Sequence, residues 1–353
     1  MCPSRSTYPF QWFWDSAFHA IALLHVDPEL SKQEIRCLLQ GAQPDGFIPH
    51  VLLWDRANHE NELQGCELAL AGPHFTATIQ PPVIARAIER IYSQTKDDAF
   101  VREVLPQTVR FFAWLGHYRD PDHDSLISII QPDESGLDAS PKYDVPMGFS
   151  GRATVVAPEY RAGMQRLFEA YAPLRGDPAK LIEQAAFQVE DVMVNAIYGD
   201  GLRCVARLCR ETGASGLDAA ELDARAEKVT LALMAKCWDE ETGVFWDLSG
   251  REEKPLRILT FTSLFPLILQ DVPRPVVRKL VEEHLLEPAE FWTRYPIPSV
   301  AGDEPAFDPT FRSQAVWRGP AWVNANWYLY WGLKTHGYDD VASELASRTC
   351  DMV

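Results

Sequence analysis

Apolar residues recur along this chain at helical intervals over most of its length. Val83, Ile84, Ala87, Ile88, Ile91 and Tyr92 fall at i, i+1, i+4, i+5, i+8 and i+9, one broad stripe on a helix opened by Pro81-Pro82. The same period predicts helices at about 12–25, 28–41, 82–94, 97–119, 158–173, 193–212, 218–237, 259–270, 274–287, 319–336 and 338–350. Period-2 alternation is rare and short. Several helices form near-continuous pairs broken only by Pro, Gly or Asp, as antiparallel hairpins do. The other connections, 42–81, 120–157, 238–258 and 288–318, are long, and long structured loops in a compact domain tend to carry function. Two begin alike: Asp120-Pro121-Asp122 and Asp239-Glu240-Glu241 each lead into a brief β-prone run. Weak repetition of that kind suits a closed ring of equivalent units. The expectation is an all-α toroid of hairpins in one domain, with its site at one mouth.

Composition narrows the partners. Lys and Arg number 33 against 50 Asp and Glu, a net charge of -17, which repels phosphate backbones and anionic lipid surfaces. Nucleic acid and membrane are therefore not expected as partners, and oligomeric state is left open. The seven cysteines are odd in number and never form C-x-x-C, so neither a disulfide framework nor a zinc knuckle is supported. Reduced thiols in the cytoplasm are the simpler reading. Neither an apolar signal segment after Met1 nor a run of about 18 apolar residues occurs.

Familiar cofactor motifs are missing too. The chain has no G-x-G-x-x-G and no P-loop, and Gly148-Phe149-Ser150-Gly151 is not G-x-S-x-G. His50, His74 and His117 share no metal spacing and read as structural. Asp120 to Asp124 resembles half a calcium loop, but Ser125 stands where Gly is needed and Gln131 where Glu is needed, so it reads as a turn. No cofactor and no metal are expected.

The stretch Gln131 to Asp144 sets Asp133, Glu134, Asp138 and Asp144 in a turn shaped by Pro132, Gly136 and Pro141, with Lys142 its only base. Cleaving an acetal needs a carboxylic acid held protonated near neutral pH, and crowded carboxylates can supply that through mutual repulsion. Asp138, directly after Gly136-Leu137, is the candidate acid, supported by Glu134 and Asp144. The competing reading is an acidic loop whose side chains cap local turns. Trp12 and Trp14 with Asp15 open the first predicted helix. They serve either as a buried aromatic anchor with Asp15 in the favoured first turn, or as an indole and a carboxylate against a sugar ring. Trp317 and Trp322 flank the start of another helix opened by Gly319-Pro320, where a groove would lie, whereas Trp327 and Trp331 read as core. Gln80 either caps a helix or binds a hydroxyl.

In order, Phe13-Trp14-Asp15-Ser16 with Phe18-His19, Gln80-Pro81-Pro82, Glu134 to Asp144 and Trp317-Arg318-Gly319-Pro320-Ala321-Trp322 resemble the glycoside hydrolase family 63 group. Within it the likeness is to the mannosylglycerate and glucosylglycerate hydrolases, the MGH1-like enzymes. The resemblance implies an (α/α)6 barrel, an inverting mechanism on a small α-glucoside or α-mannoside, no obligatory metal, and Asp138 as general acid. It also implies Trp14 and Asp15 as sugar-ring contacts, Gln80 as a loop amide, and Trp317, Gly319 and Trp322 as a platform. Trp12 and Gly136 complete the expected binding set. Val316 and Pro132-Asp133 depart from the family pattern and bear on substrate choice.

Inversion also needs a second carboxylate to activate water. The family's segment for it, past the W-R-G-P-x-W helix, does not occur before Val353. The expectation is a chain truncated at its C-terminus, lacking the last helix and the base, and weakly active or inactive. Two other readings remain: a catalytically silent carbohydrate-binding or scaffold protein, and a sugar epimerase or isomerase. The latter would use paired histidines, and the motifs hold only His19.

Overall fold

The computed structural model describes residues 1–61, 69–149, 157–214, 218–313 and 315–353. Cys66 and Ser150-Gly151 lie outside them. The chain divides into two compact units, one of Met1–Ile130, Met164–Ala186 and Tyr198–Ala226, the other of Gln131–Gly163, Phe187–Ile197 and Glu227–Val353.

In the first unit α1 (Phe13–Leu23) and α2 (Pro28–Leu39) form a hairpin, followed by α3 (Ile84–Thr95) and α4 (Asp98–Tyr118). Each turn has a local cause. Asp27 accepts from the Glu29 amide at 2.8 Å and Pro28 occupies the first helical position, so α2 starts there. Lys96 closes α3 in a left-handed conformation, and Asp97 caps α4 through the Phe100 amide at 3.0 Å. The predicted stripe from Val83 to Tyr92 is buried along its whole length. A four-stranded sheet in the order β1-β2-β4-β3 joins β1 (Gln11–Trp12), β2 (Val51–Leu52), β3 (Leu70–Gly72) and β4 (Phe75–Thr76).

Three helices contribute residues to both units: α5 (Ala157–Tyr171), α7 (Val192–Thr212) and α8 (Ala219–Ala232), with the short α6 (Pro178–Glu183) between the first two. In the second unit β8 (Asp247–Ser249) pairs antiparallel with β5 (Val189–Glu190) on one side and β9 (Lys254–Leu256) on the other. The unit closes a hairpin between β6 (Trp238–Asp239) and β7 (Val244–Phe245). It ends with α9 (Arg274–Arg278), α10 (Val323–Thr335) and α11 (Asp339–Cys350). No helix among the described residues is long and apolar enough to cross a membrane.

Three expected elements change. Residues 261–268 form a 3-10 helix with Pro266 inside it, because proline cannot donate to the helical ladder and crowds the preceding turn. Trp12 ends β1 instead of opening α1. Gly319-Pro320 precede α10, which begins only at Val323. The sequence period missed α6, a single turn and a half started by Asp177 and Pro178. Trp327 and Trp331 are half-buried, so they are not core as expected.

The first unit also holds a part-buried, balanced charge cluster with Asp200 at its buried end. Arg86 donates to both oxygens of Asp200, from Nε at 3.0 Å, and to Glu89, which Arg207 Nε also reaches at 2.6 Å. Replacing Arg86 by Met leaves two shielded carboxylates with one cation. We expect a loss of about 3–5 kcal/mol in urea unfolding; a loss below about 1 kcal/mol would show that water compensates the cluster.

Candidate active site

In the first unit the start of α1 is capped from a distance. The Phe13 amide donates to the His50 carbonyl at 2.8 Å, and the Trp14 amide donates to Gln80 Oε1 at 2.9 Å. Gln80, 66 residues away, therefore serves a helix other than its own, which satisfies donors that Trp12 cannot. This brings Trp14, Asp15 and Gln80 together. Trp14 is buried with its ring edge-on to Phe18 at 5.6 Å, and Asp15 is half-buried in the first turn. Trp12 packs edge-on against His50 at 5.1 Å, and its indole nitrogen is buried without a partner. Burial holds His50 neutral, its pKa lowered to about 3.

In the second unit the acid loop is built from two proline-initiated 3-10 turns, Pro132–Ser135 and Pro141–Tyr143. Ser135 Oγ donates to the Pro132 carbonyl at 2.6 Å and accepts from the Leu137 amide at 3.0 Å. Gly136 takes φ +75°, a left-handed turn that glycine enters without steric cost. The Ser140 amide closes back on the Leu137 carbonyl at 2.9 Å, so Asp138 stands on a pinned bend.

The Asp138 side chain reaches solvent, yet protein atoms crowd it enough for desolvation to raise its pKa. The cause differs from the expected mutual repulsion. Burial lifts Asp138, whereas the repulsion falls on Asp133, which burial first and then Asp138 and Glu134 push well above the carboxylate range. Asp133 Oδ1 accepts from Gln131 Nε2 at 2.5 Å.

Tyr160, on the first turns of α5, was not anticipated. Its hydroxyl is buried with no hydrogen-bond partner, and its pKa is raised well above normal by burial and then by Asp138 and Asp133. Arg318 and Asp144 also act on it, so the acid loop and the Trp317 segment converge on this phenol. A lone tyrosine in an amphipathic helix carries no sequence signal for such a role.

Beyond Asp138 the loop is tied down by charge. Lys142 is fully buried and donates to Asp191 at 2.5 Å, Asp247 at 3.0 Å and Thr262 at 3.0 Å. Burial opposes its charge, but the two carboxylates outweigh that and raise its pKa. Asp247 is pushed up to about 6, by burial first and against the pull of Lys142. Next to it, Asp144 receives a two-pronged bond from Arg318, at 2.9 Å from Nη1 and 2.5 Å from Nη2.

Arg318 sits in the tryptophan segment. Trp317 and Trp322 stack at 4.0 Å with 22° between their planes, and Trp317 also faces Phe261 at 6.3 Å. Trp317 is buried and backs the stack. Trp322 is half-buried, so it is the indole with a face to offer, and its buried ring nitrogen has no partner. A Cβ on Gly319 would stand 2.6 Å from the Asp308 carbonyl, so only glycine fits there. Asp308 organises the preceding turn, accepting from the Ser313 amide and hydroxyl at 2.7 Å each. Burial opposes its ionisation, but these bonds and those from Arg312 and Thr310 win and hold its pKa at about 2.

A carboxyl whose proton is favoured, open to solvent and in the same unit as an indole face, is the equipment of an acid catalyst for sugar acetals: a glycoside hydrolase. The chain belongs to the family of the mannosylglycerate hydrolase MGH1-like glycoside hydrolase domain, whose model matches residues 8–353. It is 31% identical to a mannosylglycerate hydrolase of Thermus thermophilus over 97% of this chain and 86% of that protein. It is 28% identical to a glucosylglycerate hydrolase of Mycolicibacterium hassiacum over 95% of this chain and 82% of that protein. The crystal structure of a Thermus thermophilus family 63 mannosylglycerate hydrolase with Tris and D-glycerate superposes with a TM-score of 0.85 at 27% identity, covering 99% of this chain and 86% of that one. The fold class is the all-α (α/α)6 type, and the activity is hydrolysis of O-glycosyl bonds in small glycosides.

The Asp308 carboxylate makes a pH-dependent contribution with a definite sign. Its folded pKa lies below the unfolded 3.8, so its stabilisation is complete above about pH 4 and vanishes as pH falls through about 2. Asp308→Asn should cost about 2 kcal/mol at pH 7, from the size of that shift, and progressively less between pH 4 and 2. Unfolding curves for both proteins at these pH values check this; a pH-independent difference would show that shape, not charge, is what Asp308 supplies.

Proposed function

We propose that this chain hydrolyses the α-glycosidic bond of a small glucoside or mannoside, glucosylglycerate or mannosylglycerate, with inversion at the anomeric carbon. The carrying observation is Asp138, accessible to a substrate yet desolvated so that its pKa is raised and its protonated form favoured. Asp138 gives that proton to the glycosidic oxygen as the bond to the anomeric carbon breaks, and glycerate leaves with that oxygen as a neutral hydroxyl. Water, activated by a second carboxylate, attacks from the opposite face. Trp322 covers the apolar face of the sugar ring, backed by Trp317. Trp12, Trp14, Asp15 and Gln80 are assigned as sugar contacts on the sequence resemblance, with Gly136 and Gly319 shaping the backbone. Residues 1–353 act as one glycoside hydrolase domain. A cytoplasmic setting fits the six described cysteines, which are all free thiols.

An inverting enzyme on an α-glycoside should release the β-anomer first, visible by proton NMR within minutes of mixing with glucosylglycerate or mannosylglycerate. First appearance of the α-anomer, or no glycerate at all, overturns the reading. Asp138→Asn should lower kcat on these substrates by about 10²- to 10⁴-fold while binding persists. Because the folded pKa of Asp138 is raised, its ionised form costs stability as pH climbs through that value, so the Asn variant should melt no lower than wild type at pH 7. Wild-type turnover in this variant would remove Asp138 from the acid role.

Trp322→Ala should weaken sugar binding by about 1–3 kcal/mol, the scale of covering an aromatic face. Titration calorimetry decides it: an unchanged Kd with a lower Tm would mark Trp322 as a packing residue.

A further inference from the structure

Lys142 stands four residues past Asp138, a chain reach of at most about 14 Å. Its ammonium has three N–H bonds and three partners on three different segments. Asp191 lies just before α7, Asp247 on β8, and Thr262 on the 3-10 helix. Each partner is itself fixed. Asp191 Oδ1 accepts from the Val194 amide at 2.8 Å, Asp247 Oδ1 from the Val192 amide at 2.7 Å, and Thr262 Oγ1 shares a bond of 2.7 Å with Thr260. Tyr143 adds a second strap from the loop, its hydroxyl donating to Asp191. None of these side chains reaches solvent appreciably.

The charge count is the unusual part. Two buried carboxylates face one ammonium, so the cluster carries a surplus negative charge, offset by the amides at the start of α7 and the Tyr143 hydroxyl. For holding a loop in place, a neutral pair of Lys142 and Asp191 would suffice. The extra carboxylate and hydroxyl fix the third dimension of the ammonium's position, as three points fix a tripod.

We infer that Lys142, clasped by Asp191, Asp247 and Thr262, is a positioning residue that sets the Asp138 carboxyl against the glycosidic oxygen. This rests on Asp138 being the general acid. The consequence is specific to proton donation. A loop that drifts by about 1 Å can lose on the order of 100-fold in rate, but the loss should appear only where the leaving group needs the proton.

The test uses Asp247→Asn, Thr262→Val and the conservative Thr262→Ser in the full chain. Asp247→Asn leaves the electroneutral Lys142–Asp191 pair, and Thr262→Val keeps its volume, so both should fold; far-ultraviolet circular dichroism and Tm check this. Hydrogen exchange by mass spectrometry reads peptides from residues 131–144 against those from α10. In Asp247→Asn and Thr262→Val, exchange in the acid loop should rise at least about tenfold while α10 stays at the wild-type rate. Kinetics then compare glucosylglycerate or mannosylglycerate with a 4-nitrophenyl α-glycoside. We expect kcat on the natural-type substrate to fall about 10- to 100-fold with KM little changed, the activated substrate to fall less than about threefold, and Thr262→Ser to recover most of the loss. Equal losses on both substrates, or unchanged loop exchange, would overturn the inference. If wild type cleaves neither substrate, the assigned activity fails instead, while the exchange measurement still decides whether the clasp holds the loop.

Discussion

Arg318 and Asp144 are 174 residues apart in sequence, yet the guanidinium donates to both carboxylate oxygens with little access to water on either side. Removing either partner would strand a charge where solvent barely reaches it, a far greater cost than the pair's net gain. The acid loop and the tryptophan segment are therefore placed by one constraint. Around it the second unit's other features fall in order: Gly319 lets the backbone pass beside the Asp308 carbonyl, and Trp322 lies flat on Trp317. Two motifs far apart in sequence behave as one rigid part because a buried charge must be matched.

Much of this was legible in the amino-acid sequence, for identifiable reasons. Helical stripes such as Val83 to Tyr92 are periodic, so every α-helix of more than two turns among the described residues could be located. The shaped turn around Asp138 was legible because glycine and proline among carboxylates fix the course of a loop. Long-range satisfaction of polar groups was not. Gln80 capping α1, and Asp247 joining Asp191 around Lys142, join residues that no local pattern associates. Trp317 and Trp322 were indistinguishable as letters, and only stacking separates the backing plate from the exposed face. The 3-10 course of residues 261–268 was hidden for the opposite reason, since its apolar run is compatible with several helical pitches until Pro266 excludes the regular one.

The family's substrates, as its members are named, carry a carboxylate, and this chain has a net charge of -17. Long-range attraction therefore does nothing to recruit such an anion, and binding must come from short contacts. That agrees with the way the site is equipped: an indole face, a buried unpaired phenol and pinned backbone, all of which act at contact distance and are insensitive to salt.

In the proposed reaction Asp138 is the acid, and the cause of its raised pKa limits what can disturb it. An acid protonated by a neighbouring negative charge would change strength whenever that neighbour titrated or a substrate displaced it. Here the surrounding protein raises Asp138 directly, and the repulsion among the loop's carboxylates is borne by Asp133. The proton affinity of Asp138 then depends on how closely the surrounding protein crowds it, and therefore on how firmly the loop is held. Desolvation ties proton affinity to geometry, so under the proposed assignment the buried charges around Lys142 and Asp144, in holding the loop, also favour the proton on Asp138.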